Sequence, residues 1–368
     1  MSGSYEFFAL WCSTPLSKII ASLSQTSDYN ISANLLHFVL LACFSAILFV
    51  SYKFLTIKKH QKNIDSLGFK LGLIVLSICL LYLWLSAASQ NAITPYIFPS
   101  YHRESIVLRS NSKDKVPQNF IVWRTEEAIK NFNKDFDWDE YKKLSFNEIL
   151  NDGQFQIIAL GNSLGYREGI PTEKIKYLSG IPRILGYAYG GPAYYDAFTH
   201  EIVIPKVDDY PASKYFYIST IIHELSHSLL FQRELDASLI QYKAMLNSKF
   251  PTVRALANFM WLEYSPFVKH PKFFDYLIDS GIDQRFVNEI MNSRLKVKNR
   301  LKQLRIIQII RSYMRSVNLK NDSSKYGWEP QKYSISPFYK VIYKWEKSSW
   351  NSNQALTTKF VNKFKWSK

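Results

Sequence analysis

ISTIIHELSHSLLFQRELDAS, residues 218–238, places three ionisable side chains inside a run of isoleucine and leucine. They are His223, Glu224 and His227. Residues four apart lie one turn above each other on one face of a helix, so the two histidines can direct their imidazoles to one metal ion. Glu224 comes directly after the first histidine, which lets its carboxylate reach a metal-bound water without being a ligand.

The residues around this motif favour a metal site over a core helix with a few satisfied polar groups. The flanking positions are uncharged, as expected for a ligand helix buried beneath a cleft. A carboxylate in such a helix costs on the order of several kcal/mol unless a positive charge compensates it. A divalent cation would do so directly, and the spacing is the HExxH arrangement of zinc peptidases.

A catalytic zinc ion binds three protein ligands and keeps one position for water. The third ligand is expected from Glu234 or Asp236, which follow a turn near Phe231 and Gln232. A third histidine at the metzincin spacing is excluded, because position 233 is Arg. The predicted set is therefore two histidines and one of these two carboxylates.

The composition points to a membrane partner and away from nucleic acid. The chain has 368 residues, and its formal net charge is +16. No phosphate-binding loop, zinc-finger spacing or other nucleic-acid motif accompanies that charge, so an anionic lipid surface is the better partner. Nucleic-acid binding driven by the net charge is the rival interpretation and is not expected.

Two apolar runs predict transmembrane helices at residues 35–54 and 71–89, each about long enough to cross a bilayer core. The loop between them is rich in lysine, which places it in the cytoplasm by the positive-inside rule. We therefore expect an interfacial segment at 1–34, two spans with a short basic loop at 35–89, and an extracytoplasmic domain at 90–368. The expected location is the inner membrane of a bacterial cell, with the chain as a multi-pass protein.

The predicted fold class of residues 90–368 is mainly α (α+β), a mostly helical domain with a short β element. Thr125 and the acidic residues after it predict a helix start, and Gly153 predicts a helix end. The run EIVIP at 201–205 predicts a strand. Ser213 is expected to cap the motif helix, and a further helix is expected to start near Arg233.

A long stretch at 293–317 repeats apolar residues at helical spacing, with Arg and Lys on the other face. It could be a basic helix on anionic lipid or a core helix with a solvated basic face. The second interpretation is preferred, because the two predicted spans already supply a membrane tether.

The run HELSHSLLFQRELDAS resembles the signature of the domain of unknown function 3810 family, a family of predicted bacterial membrane-anchored zinc metallopeptidases of the HExxH class. Two further segments, at 188–211 and at 313–345, resemble the parts of that family before and after its motif. The resemblance covers most of the chain. It implies a zincin-like metallopeptidase domain that binds Zn²⁺. It indicates the class of reaction, peptide hydrolysis, and does not indicate the substrate.

The resemblance also assigns residues. His223, Glu224 and His227 match the family's motif, while Glu234 and Asp236 match the first and third acids of the run after it. Because the first acid also fits the ligand pattern of other membrane zinc peptidases, Glu234 is preferred as third ligand. The sequence departs from the family's pattern at two positions. Leu230 replaces a glycine in the turn after the motif, and Ser238 replaces an asparagine that could hydrogen-bond to a metal ligand.

The expected function is zinc-dependent hydrolysis of peptide (amide) bonds in a protein or peptide substrate, with Glu224 as general base. The edge of the EIVIP strand is expected to pair with an extended substrate. The alternative is a non-catalytic membrane scaffold or sensor with a structural zinc site. Candidates for stabilising the oxyanion, none of them preferred, are Tyr194, Tyr195, His200 and Tyr333.

Overall fold

The computed structural model describes a mostly helical protein with a small sheet, which confirms the expected mainly α class. The residues it describes are 45–46, 74–75, 116–163, 174–179, 193–196, 201–208, 210–228, 234–265, 268, 272–303 and 337–350. The interfacial segment predicted at 1–34 lies outside them.

The helices of the described residues are α1 (Gln118–Asp135), α2 (Trp138–Lys143), α3 (Phe146–Ser163), α4 (Lys214–His227), α5 (Glu234–Leu246), α6 (Pro251–Tyr264), α7 (Phe273–Asp279), α8 (Gln284–Gln303) and α9 (Pro337–Glu346). The motif helix α4 packs against α3 and α5, and α3 and α5 also contact each other. Helix α6 packs between α5 and α1. The motif is therefore carried by the middle of a helical assembly.

The sheet consists of β1 (Lys174–Tyr177), β2 (Tyr194–Asp196) and β3 (Glu201–Ile204). The predicted strand is confirmed as β3, whose residues are all buried. The strand order is β1-β3-β2, with β1 parallel and β2 antiparallel to β3. The expectation that an edge of this strand pairs with substrate was wrong, because β3 is the central strand and its neighbours already occupy both edges.

The chain divides into two compact units, one containing this sheet and the other containing helices α1 to α9. Within the residues described, no helix is both long and apolar enough to cross a bilayer. The spans predicted at 35–54 and 71–89 lie outside those residues except for two positions in each. They stay a prediction.

Two helix boundaries predicted from single residues were wrong. Helix α1 begins at Gln118, seven residues before Thr125, and the Thr125 hydroxyl donates to the Ile121 carbonyl at 2.7 Å. A threonine inside a helix satisfies its hydroxyl in this way, so it need not cap the start. Gly153 lies in the middle of α3, where its missing side chain allows a close approach to α4.

Two other boundaries were predicted correctly. Ser213 is the N-cap of α4, and its side chain accepts a hydrogen bond from the Phe216 amide at 3.2 Å. The helix expected near Arg233 is α5, which begins one residue later. Of the basic stretch at 293–317, α8 includes residues 293–303, and the remainder lies outside the described residues.

An aromatic cluster forms the core around the start of the motif helix. Phe259 of α6 and Phe286 of α8 have ring centroids 4.8 Å apart, and Tyr215 of α4 lies 5.2 Å from Phe259. Phe132 of α1 completes the cluster at 5.2 Å from Phe286. The first two pairs are edge-to-face, and such pairs contribute about 0.5–1.5 kcal/mol each beyond their burial. The cluster thereby fixes the first turn of α4 to three other helices.

Gly153 sets how closely α3 approaches the motif helix. A Cβ atom at this position would lie 3.1 Å from Leu225 Cδ1 and 3.3 Å from Ile222 Cγ1. Both of those side chains are buried on α4, on either side of the motif's first two residues. Helices α3 and α4 are thus in contact through a residue that has no side chain, directly behind the motif.

We predict that Gly153→Val destabilises the protein by about 1–3 kcal/mol, because two methyl groups must displace well-packed side chains of α4. Urea unfolding followed by circular dichroism measures this. Ala159→Val, at an exposed position of the same helix, is the matched control and should cost under about 0.7 kcal/mol. Equal effects of the two substitutions would show that α3 does not approach α4 closely at Gly153.

Candidate metal centre

The two histidines of the motif lie side by side on α4. Their ring centroids are 5.0 Å apart and the ring planes are at 85°. Two imidazoles that share a tetrahedral zinc ion through nitrogens at about 2.0–2.1 Å have centroids on the order of 5 Å apart. Both side chains are half-buried, so this face of the helix is open to solvent. His223 and His227 can therefore act as a pair of ligands.

Glu224 differs from the histidines in its burial, since only 8% of its surface is exposed. It lies one residue after His223, which places it about 100° further round α4. Its neighbour Leu225 contacts the Gly153 side of α3. The general base predicted from the motif is thus the most enclosed of the three motif side chains.

A glutamine on the neighbouring helix contacts the first histidine. Nδ1 of His223 lies 3.1 Å from Oε1 of Gln241 on α5. Nε2 of Gln241 donates to the Ser219 carbonyl at 2.8 Å and to the Ser219 hydroxyl at 2.6 Å. Gln241 is not among the site residues predicted from the sequence, although an amide inside the mostly apolar run SLIQYKAML is a signal that a buried polar contact exists.

The N-terminus of α4 is capped by side chains from three places. The Lys214 amide donates to Oε1 of Glu289 at 2.9 Å, and the Tyr215 amide donates to the Tyr141 hydroxyl at 2.7 Å. Ser213 accepts from the third amide, that of Phe216. Three of the four amides that a helix start leaves without partners are therefore satisfied, with a carboxylate at the positive end of the helix dipole.

The environment of Glu289 stabilises its ionised form. Burial alone would raise the pKa of this carboxyl group, but hydrogen bonds from Lys142, Tyr141 and the Lys214 amide outweigh burial and hold the pKa below its ordinary value of 4.5. Burial raises the pKa of the Tyr141 hydroxyl, with Glu289 as the next cause, so Tyr141 stays a neutral donor. Glu289 thus remains charged beside the start of α4 at neutral pH.

The two candidates for the third ligand both lie on α5. Glu234 is its first residue, and its side chain lies outside the described part of the chain. Asp236 is 2% exposed. Glu234 precedes Gln241 by seven residues, which puts both on one face of α5 to within about 20°, whereas Asp236 is about 140° away from Gln241. Glu234 therefore shares the face of α5 that carries the contact to His223.

Among side chains that the structure describes, no group of three or more His, Cys, Asp or Glu residues is arranged to hold a metal ion. Comparisons with protein-family models, with curated protein sequences and with solved structures gave no match. The resemblance to a family of membrane-anchored metallopeptidases stays a prediction, and so do the residue roles it implies.

The structure describes some of the other residues named from the sequence, and others lie outside the described residues. Tyr194 and Tyr195 lie on β2 and are half-buried. Ser238, which replaces the asparagine of the resembled family, is buried on α5, and its hydroxyl accepts from the Tyr264 hydroxyl at 3.2 Å. Leu230, His200 and Tyr333 lie outside the described residues.

We predict that Glu289→Gln lowers the free energy of unfolding by about 1–2 kcal/mol at pH 7, because charged hydrogen bonds to Lys142 and to the start of α4 are lost. A lowered pKa stabilises the fold fully above the ordinary value of 4.5, and this contribution disappears as the pH falls through the folded-state pKa. The difference between wild type and variant should therefore shrink below pH 4.5.

Urea unfolding at a series of pH values measures that difference. Glu127→Gln on α1 is the control, since Glu127 makes one exposed ion pair, with Lys130 at 3.6 Å. It should change stability by under about 0.5 kcal/mol at every pH. A Glu289→Gln effect that stays constant from pH 7 to acid would mean that the charge of this carboxylate does not stabilise the helix start.

Proposed function

We propose that the protein is a membrane-anchored zinc metallopeptidase that hydrolyses peptide bonds at the His223–Glu224–His227 motif. The observation that carries the proposal is the arrangement of the two imidazoles, half-buried on one face of α4 with ring centroids 5.0 Å apart. That spacing fits a shared tetrahedral ion. The enclosed Glu224 beside them supplies a base at the same place.

In the proposed site, His223, His227 and Glu234 would hold the ion. The position of Glu234 supports its choice over Asp236, because it lies on the face of α5 that contacts α4 through Gln241. Only six residues, 228–233, connect α4 and α5, and so short a connection favours antiparallel neighbours. In that arrangement the start of α5 comes next to the end of α4, where His227 is located.

Zinc, when bound, would lower the pKa of a water molecule and polarise the carbonyl group of the substrate. In this site Glu224 would act as general base and then general acid, because its carboxylate can hold a proton taken from water and pass it to the nitrogen of the departing amine. The two histidines bind and orient and take no part in proton transfer.

The membrane anchor belongs to the same proposal. Residues 35–54 and 71–89 would cross the bilayer, with the lysine-rich loop between them in the cytoplasm and the zincin-like domain at 90–368 on the outer face of a bacterial inner membrane. The net charge of +16 supports a surface that lies next to anionic lipid.

Two substitutions test the enzyme. In the full-length chain, we predict that Glu224→Gln keeps the bound zinc and lowers peptide hydrolysis at least 10²-fold, because the amide cannot take a proton from water. His227→Ala should lose both the zinc and the activity. Metal content is measured by elemental analysis, and turnover with a library of fluorogenic peptides.

Glu127→Gln, an isosteric change at a solvent-facing position, is the control and should retain zinc and activity. Zinc in the wild type without hydrolysis of any peptide would favour the structural-zinc scaffold. Undiminished hydrolysis by Glu224→Gln would show that Glu224 is not the base. Absence of zinc binding by the wild-type chain would refute the proposed metal site.

A further inference from the structure

Gln241 is a buried amide in the most apolar part of α5. Only 3% of its surface is exposed, and Leu239, Ile240, Tyr242 and Met245 around it are fully buried. An amide in such a place costs free energy unless its hydrogen bonds are made. Gln241 makes them to one neighbouring helix, with its amide oxygen near His223 and its amide nitrogen near Ser219.

The partners of Gln241 fix which way its amide group points. Nε2 lies 2.8 Å from the Ser219 carbonyl oxygen, and a carbonyl oxygen can only accept. The reversed amide would bring two acceptor oxygens together at that distance, and it would also turn an NH₂ group towards His223. The Ser219 hydroxyl, 2.6 Å from Nε2, accepts the second amide hydrogen. Oε1 must therefore face the histidine.

The orientation of the amide in turn fixes the proton on His223. An amide oxygen is an acceptor, so Nδ1, 3.1 Å from Oε1, must carry the hydrogen. In the neutral imidazole only one nitrogen is protonated, which leaves the lone pair on Nε2. A metal ligand must present such a lone pair, and histidine ligands commonly donate their other N–H to an oxygen acceptor.

We propose that Gln241 is a positioning residue of the metal site, which holds His223 as its Nδ1–H tautomer so that Nε2 is the ligating atom. This inference rests on the proposed metal centre. It adds to that centre a chain of contacts from the Ser219 backbone through the Gln241 amide to the ligand. It also explains why α5 carries an amide where α4 presents His223.

Gln241→Met tests the inference, since methionine has a similar length and shape and no hydrogen-bonding amide. We expect Gln241→Met to weaken Co²⁺ binding to the full-length chain about 10–100-fold, the usual effect of losing the partner of a histidine ligand. Co²⁺ titration against a chromophoric chelator gives the affinity, and its d–d absorption reports the ligand geometry. Thermal unfolding of the metal-free chain, measured in parallel, shows whether the variant is folded.

The tautomer of His223 is a second readout that needs no metal. In ¹⁵N-histidine NMR of the metal-free chain above pH 8, the wild type should show protonated Nδ1 and unprotonated Nε2 at His223. Gln241→Met should shift the ring towards the Nε2–H form, which a free histidine side chain prefers. The signal is assigned by its disappearance in His223→Ala.

Ser219→Ala is the matched control. It removes one of the two hydrogen bonds that Nε2 of Gln241 makes to Ser219 but keeps the backbone carbonyl that fixes the amide. The affinity should therefore stay within about threefold and the tautomer should not change. Gln241→Glu keeps an acceptor for Nδ1–H and should retain the tautomer that Gln241→Met loses. A role in packing alone would change the unfolding temperature and leave the tautomer and the affinity as they are.

Wild-type Co²⁺ affinity in a folded Gln241→Met variant would overturn the inference. A wild-type His223 with protonated Nε2 would overturn it as well. If the wild type bound no Co²⁺, the proposed function would fail first, and the tautomer measurements would still decide whether Gln241 fixes the ring.

Discussion

The contact of α4 with the helices on either side of it is the constraint on which the candidate site depends. Behind the motif, Gly153 lets α3 come within contact distance of Leu225 and Ile222. On the other helix, Gln241 bonds both to His223 and to Ser219, one turn earlier on α4. At the start of the helix, Glu289 accepts from the first amide. The motif helix is therefore held by close packing, by an amide bridge and by a charged cap, each from a different element.

The sequence predicts the interactions between residues that are close along the chain, and it does not predict those between distant residues. The cap at Ser213 was predicted correctly because capping is a local interaction. A serine that precedes a run of apolar residues at helical spacing is a typical N-cap. The strand at 201–204 was found because its composition and its breakers are also local. Thr125 and Gly153 gave wrong boundaries because each residue type has two roles. Thr125 bonds inside its own helix instead of capping it, whereas the role of Gly153 depends on a partner far along the chain. For Gly153 that partner is 72 residues away, at Leu225.

The candidate site divides in the same way. The histidine pair follows from a spacing of four residues on one helix, so the sequence alone brings the two rings together. Gln241 contacts His223 from a neighbouring helix. The two residues are 18 positions apart in sequence, and this spacing matches no motif that would predict the contact. Glu234 can be preferred over Asp236 on structural grounds only once the first residue of α5 and its contact to α4 are known. Only then can each residue be assigned to a face of the helix.

Helix α5 connects the candidate site to the rest of the helical unit. Tyr242, next to Gln241, accepts a hydrogen bond from Arg124 of α1, and Arg124 also pairs with Glu346 of α9 at 2.8 Å. Removing either partner from so buried a pair is costly, since the remaining charge would be left unpaired. Gln241 and Tyr242, about 100° apart around α5, therefore face different partners, one the motif and the other a buried ionic cluster. A metal ligand needs an orienting partner whose own position is fixed, and the bond to Arg124 fixes the segment of α5 that carries Gln241.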